Sequence, residues 1–169
     1  MSNPTLPSGD DAALRPATTG DDEFLYRVYA GTRAEELALT NWTDAQKEQF
    51  CRMQFRAQST DYAANYPAAQ YSIIEHRRTA VGRLIVDRRE SEINIVDIAL
   101  LPDARGAGIG TRYLRELMDE SRRAGKPLSI HVEKFNRALR LYHRLGFQPV
   151  ADKGVYLLME WKSPAAAPQ

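Results

Sequence analysis

A glycine-rich turn joins an apolar segment to an amphipathic one in LPDARGAGIGTRYL, Leu101–Leu114. Three glycines stand at alternate positions, Gly106, Gly108 and Gly110, and the pattern after them is helical. Glycine lets a backbone approach a ligand closely, and the first turn of a helix offers unpaired N–H groups that attract phosphate. The segment therefore predicts a strand–loop–helix unit that either binds a phosphate-bearing ligand or simply connects the strand to the helix.

Two common phosphate-binding motifs do not fit this loop. A dinucleotide fingerprint, G-x-G-x-x-G, needs a third glycine, and neither the frame from Gly106 nor the frame from Gly108 supplies it. A Walker loop, G-x-x-x-x-G-K-[ST], is also missing. The spacing that fits is R-x-x-G-x-G, which runs from Arg105 through Gly108 to Gly110.

Apolar periodicity along the chain predicts the element order β-α-α-β-β-β-α-β-α-β-β. The segments QYSIIEH, AVGRLIVDR and EINIVDIALL are rich in β-branched residues and predict an antiparallel meander. Gly125 and Gly146 stand where two later helices should end. We expect a single α/β domain over residues 13–162, between disordered tails at 1–12 and 163–169. Its sheet should be mixed and mostly antiparallel, with about seven strands flanked by about four helices.

The N-terminal region predicts two helices. Gly31 should break or bend the first, and Thr43–Gln46 fits a capping box at the start of the second. The core face of the second helix should then carry Phe50, Met53 and Ala57. A loop with Tyr62 and Tyr66 should follow.

Composition excludes several classes of protein. The chain has 169 residues, a net charge of +1 and one cysteine, Cys51. The charge gives no bulk attraction for nucleic acid or an anionic membrane, and one cysteine cannot build a disulfide framework. No metal motif, membrane span or signal pattern is present. We therefore expect a cytoplasmic protein with no metal, no nucleic-acid partner and no membrane association.

A second motif follows one strand after the glycine loop. It is N-x-A-x-x-x-Y-x-x-x-G-F, formed by Asn136, Ala138, Tyr142, Gly146 and Phe147. With R-x-x-G-x-G and the element order, this sequence resembles the GCN5-related N-acetyltransferase (GNAT) family from about Leu14 to Lys162. The resemblance implies the GNAT fold and acetyl-CoA as co-substrate.

The same resemblance implies how acetyl-CoA is held. Backbone groups of the central strand would bind the pantetheine as a further strand would, and the loop N–H groups would take the pyrophosphate. Arg105 heads the loop and could do no more than brace it. The residues that the resemblance assigns to acetyl-CoA are Ile98, Ala99, Leu100, Arg105, Gly106, Ala107, Gly108, Ile109, Gly110, Thr111, Asn136, Ala138 and Tyr142.

The implied reaction is direct attack of an amine on the thioester, without an acyl-enzyme. Tyr142 stands where the family places the residue that protonates the leaving thiolate. The alternative interpretation is that Tyr142 is a core aromatic residue on an apolar helix face. The general base is Asp97, Glu92 or water. Cys51 is given no nucleophilic role.

Specificity in this family lies in the first two helices and the loop after them. The candidate substrate contacts are Tyr29, Arg33, Glu36, Trp42 and Tyr62, although aromatic residues there also suit a helix core. We expect transfer to a primary amine of a small molecule, an amino acid or a peptide, by a monomer or a homodimer. The alternatives are a catalytically inactive acyl-CoA-binding module and an acyltransferase that acts on a macromolecular amine.

Overall fold

The computed structural model describes residues 11–164, so the predicted tails lie almost entirely outside the described residues. The helices and strands are β1 (Ala12–Pro16), α1 (Asp22–Ala38), α2 (Asp44–Asn65), β2 (Gln70–His76), β3 (Thr79–Arg88), β4 (Ile93–Leu100), α3 (Ile109–Ala124), β5 (Leu128–Glu133), α4 (Leu139–Leu145), β6 (Gln148–Asp152) and β7 (Tyr156–Trp161). The predicted order is confirmed. The first strand begins at Ala12, which is buried.

The seven strands form one mixed sheet in the order β1-β2-β3-β4-β5-β7-β6. β1 pairs antiparallel with β2, and β7 pairs antiparallel with both β5 and β6. β4 and β5 pair in parallel. The edge strand β6 carries a register shift between Pro149 and Ala151. This is the predicted fold class: a mixed, mostly antiparallel sheet with four α-helices.

Within the described residues, contacts divide the chain into two units. One contains the chain up to Ile85 together with Ile98–Gly110, and the other contains Val86–Asp97 and the chain from Thr111. In the first unit, α1 and α2 bury a cluster of Tyr26, Tyr29, Leu37 and Cys51. In the second, one face of α3 is buried at Leu114, Leu117 and Ser121.

The two N-terminal helices differ from the prediction in three details. α1 passes through Gly31 without a break. The Thr43–Gln46 capping box is confirmed, but α2 runs on to Asn65, so that Tyr62 lies in the helix and not in a loop. Met53 is 54% exposed, and Cys51 takes its place in the core. No helix of the described part is long and apolar enough to cross a membrane.

Candidate active site

The central strand β4 differs between its two halves in pairing with β5 and in burial. Its parallel register with β5 covers only Ile93–Ile95, which pair with Leu128–Ile130, although β4 continues to Leu100. Burial follows the same division, because Ile93–Ile95 are buried and Val96–Leu100 are only partly buried. The second half of β4 therefore has no register partner in β5, and backbone amides there can serve a ligand that binds as a strand would.

Gly82 of β3 lies directly against this half of β4. A Cβ atom at Gly82 would lie 2.4 Å from the Ala99 carbonyl oxygen and 2.6 Å from Leu100 Cδ2. Glycine within a strand often marks such a close backbone approach. Sequence reasoning missed this residue, and an isolated glycine in AVGRLIVDR was the available signal.

The glycine loop places two residues in the left-handed region. Gly106 has φ +80° and Gly108 has φ +84°, conformations that favour glycine. A Cβ atom at either position would meet nothing within 4 Å, and both residues are exposed. Gly110 differs, because it lies within α3 and a Cβ there would be 3.9 Å from Leu100 Cδ1. The loop is thus an open cradle of backbone just before a helix, as a phosphate site requires.

Arg105 braces the glycine loop. Its Nε donates to the Leu100 carbonyl at 3.2 Å, and its Nη2 donates to the Gly31 carbonyl at 3.3 Å. A Cβ atom at Gly31 would lie 3.1 Å from Pro102 Cδ. Gly31 therefore lets α1 lie close to the start of the loop, which is a packing role and explains a glycine that does not break its helix.

Tyr142 is a buried aromatic residue on α4. It is 4% exposed, and its ring lies edge-on to Phe147 at a centroid distance of 5.7 Å. Burial raises the pKa of the Tyr142 phenol well above its ordinary value, and the charge of Asp97 raises it further. The Tyr142 hydroxyl is therefore protonated at neutral pH.

The turn before α4 is built by Asn136. Its Oδ1 accepts a hydrogen bond from the Ala138 N–H at 2.8 Å, and α4 begins at the next residue, Leu139. The N–H of Tyr142 in turn bonds the Ala138 carbonyl at 3.1 Å. The side chain of Asn136 therefore fixes the start of the helix that carries Tyr142.

Glu92 is not brought together with these groups. It precedes β4, and its carboxylate accepts from Ser129 Oγ at 2.8 Å and from Arg89 Nη1 at 2.8 Å. It lies at the end of β4 where pairing with β5 begins, the opposite end from Leu100. The carboxylate of Glu92 thus joins two chain segments, and its role as a base stays a prediction.

Three of the candidate substrate contacts lie together on α1, and the other two lie elsewhere. Tyr29 is 5% exposed and packs against Phe55, and its hydroxyl accepts a hydrogen bond from Arg33 Nε at 3.3 Å. Arg33 and Glu36 pair with each other at 2.9 Å. Trp42 is 42% exposed and lies edge-on to Phe50 at a centroid distance of 5.2 Å, whereas Tyr62 lines a cavity.

Comparison with known proteins agrees with this geometry. The model of the Acetyltransferase (GNAT) family matches residues 33–147, more than half of the chain. This chain is a GNAT protein. The match includes both motifs, and the fold matches as well. The GNAT chain is thus an acyl-transfer enzyme, and the family uses acetyl-CoA as its co-substrate.

Several solved structures share the GNAT fold. PaiA N-acetyltransferase from Thermoplasma acidophilum, in complex with coenzyme A, has a TM-score of 0.68 and 16% identity over 90% of this chain and 99% of its own. An acetyltransferase from Thermus thermophilus has a TM-score of 0.65 and 18% identity over 90% and 97%. The ribosomal-protein-S18-alanine N-acetyltransferase from Escherichia coli has a TM-score of 0.62 and 18% identity over 92% and 96%. No curated protein matches the chain.

Proposed function

We propose that the chain transfers the acetyl group of acetyl-CoA directly to a primary amine of a small molecule, an amino acid or a peptide. One observation carries the proposal. The second half of β4 lacks a register partner in β5 and leads into the open cradle of Gly106 and Gly108. A strand edge followed by a phosphate cradle suits a ligand with an amide-containing arm and a pyrophosphate.

The residues present fit acetyl-CoA. Backbone groups of Ile98, Ala99 and Leu100 would bind the pantetheine, and the N–H groups of Gly106–Thr111 would bind the pyrophosphate. Arg105 holds the loop in place by bonding backbone carbonyls, so its side chain acts by positioning. Asn136 and Ala138 act similarly on the start of α4.

Two groups of the chain would act on the reacting atoms. When bound, acetyl-CoA supplies a thioester carbonyl. The Leu100 N–H would stabilise the negative charge that develops on the carbonyl oxygen. Tyr142 would give its proton to the sulfur as the C–S bond breaks and the C–N bond forms. Its raised pKa keeps this proton in place at neutral pH.

A base must take a proton from the amine, because an amine with a lysine-like pKa of about 10.4 is charged at neutral pH. Asp97 lies on β4 one residue before the proposed pantetheine-binding segment and is partly buried. We propose that Asp97 or a water molecule takes this proton. The bonds of Glu92 to Ser129 and Arg89 make it the less favoured candidate for this role.

The net charge of the chain favours a small acceptor over an amine that is carried by RNA. The net charge of +1 gives no bulk attraction for an RNA-borne amine. Trp42 is the aromatic candidate that remains exposed, and Arg33 and Glu36 add a paired charge on α1.

The test is a screen of primary amines, free amino acids and short peptides with acetyl-CoA, followed by thiol release. A reaction without amine corrects for hydrolysis. We expect at least one small amine or peptide to be acetylated at nitrogen, as mass spectrometry can verify. Acetylation of a protein or an aminoacyl-tRNA, with every small amine inactive, would contradict the proposed acceptor class. Absence of any acetyl-CoA binding would contradict the proposed site.

A further inference from the structure

A cavity of about 580 Å³ opens between the two N-terminal helices and strands β2 and β3. This volume lies within the range of sites for small organic ligands. None of its residues is assigned above to acetyl-CoA. It is lined by Ala17, Asp22, Glu23, Leu25, Tyr26, Arg52, Phe55, Arg56, Ser59, Tyr62, Ala63, Tyr71, Arg83 and Ile85.

Arg83 gives this cavity a buried cation. The residue is 6% exposed, although arginine is rarely buried to this extent. Its Nη2 donates to Gln58 Oε1 at 2.6 Å, and its guanidinium lies 5.8 Å from the centroid of the Tyr62 ring. A buried guanidinium attracts an anion more strongly than an exposed one, and its planar fork matches a carboxylate.

The other charges of the lining favour an anion as well. The lining holds three guanidinium groups, those of Arg52, Arg56 and Arg83, against the two carboxylates of Asp22 and Glu23. Glu23 already accepts from Arg52 at 3.0 and 3.2 Å. Charge complementarity therefore selects a ligand with at least one negative charge.

The walls select the rest of the ligand. Tyr26, Phe55, Tyr62 and Tyr71 line the cavity, and aromatic faces stack on planar apolar groups. The guanidinium of Arg52 lies 3.8 Å from the centroid of the Tyr26 ring, so one aromatic face of the lining already holds a planar group. We propose that this cavity binds a small carboxylate with an aromatic body, its carboxylate on Arg83 and its ring among the aromatic walls.

The experiment uses the full chain with phenylacetate, indole-3-acetate and benzoate, measured by calorimetry. Phenylacetamide serves as the neutral counterpart of phenylacetate. These probes lack a primary amine, so the result does not depend on the proposed acetyl transfer. We expect at least one carboxylate to bind, and the neutral amide to bind at least tenfold more weakly, which corresponds to about 1.4 kcal/mol.

Two variants locate the binding site. Arg83→Met removes the charge, and Ser59→Trp fills the cavity from an exposed helix position while Arg83 remains. Both should weaken binding at least tenfold, whereas Arg122→Met, an exposed arginine on α3, should leave it unchanged. If Arg83→Met does not fold, Ser59→Trp decides. Failure of all three carboxylates to bind, equal affinity for the amide, or unchanged affinity in Ser59→Trp would overturn the proposal.

Discussion

Gly82→Ala should move β4 by adding a single methyl group. The new Cβ would lie 2.4 Å from the Ala99 carbonyl oxygen, 2.6 Å from Leu100 Cδ2 and 3.2 Å from Leu100 Cα. Because non-bonded heavy atoms pack best at roughly 3.5–4.0 Å, the two strands must separate locally by about 1 Å. The obstructing atoms include backbone, so a side-chain rotation cannot relieve the contact.

The cost follows from the packing. Overpacking typically costs about 1–3 kcal/mol, and we expect about 2–3 kcal/mol here because backbone must move. For a chain of this size that loss corresponds to a fall in melting temperature of about 5–10 °C. The same displacement moves Ala99 and Leu100, which are proposed to bind the pantetheine. The KM for acetyl-CoA should therefore rise several-fold, even well below the melting temperature.

Gly20→Ala is the matched control. A Cβ at Gly20 would meet only Thr18 Oγ1, at an ordinary 3.5 Å. This variant should change stability by less than about 1 kcal/mol and leave KM unchanged. Thermal melts and steady-state kinetics of both variants provide the test. Equal stability of the two would refute the tight contact at Gly82. A stability loss in Gly82→Ala with an unchanged KM would refute the role of Ala99 and Leu100 in binding acetyl-CoA.

Three other predictions concern the glycine loop, the proposed acid Tyr142 and the partly buried ion pair of Arg15 and Asp21. Gly108→Asp should abolish acetyl-CoA binding in calorimetry, whereas the control variant Gly125→Asp should retain it. Both glycines have a positive φ, +84° and +65°, and a Cβ atom at either would meet nothing within 4 Å. The backbone strain of the two substitutions is therefore similar, and only their location differs. Tyr142→Phe should lower kcat by about 10²-fold at unchanged acetyl-CoA affinity, and a wild-type rate in a chemistry-limited assay would make Tyr142 a packing residue only. Because burial and Asp97 raise its pKa, the wild-type pH profile should show no loss from Tyr142 below a pH of about 10. Asp21→Asn should lower the melting temperature at pH 7, because Arg15 donates to both carboxylate oxygens, at 2.7 and 2.9 Å, and lowers the pKa of Asp21. That stabilisation is present above the ordinary aspartate pKa of about 3.9 and is lost as the pH falls below it, so the difference between variant and wild type should vanish in acid.

Features that depend on neighbours in the sequence were predictable. The Thr43–Gln46 capping box and the terminal glycines Gly125 and Gly146 are properties of short segments. Each is decided within a few residues, by a hydrogen bond to a nearby amide or by a backbone conformation that glycine alone adopts easily.

Features that depend on distant contacts were not predictable. Gly31 is expected from the sequence to break or bend its helix, but it lies in an unbroken helix and allows close packing against Pro102. Arg83 is a charged residue in a predicted strand, yet it is buried and donates a hydrogen bond to Gln58. The sequence offers Glu92 and Asp97 as candidate bases, but it does not show that pairing of β4 with β5 covers only Ile93–Ile95.

Both edges of the sheet carry a proline. β1 ends at Pro16, and β6 contains Pro149 beside its register shift. Proline cannot donate a backbone hydrogen bond, and an irregular edge cannot align with a second flat strand. A crowded solution of this protein should therefore resist fibril growth by strand addition, because neither end of the sheet offers an uninterrupted template. Any association between copies should instead use side-chain surfaces, and it should remain reversible on dilution.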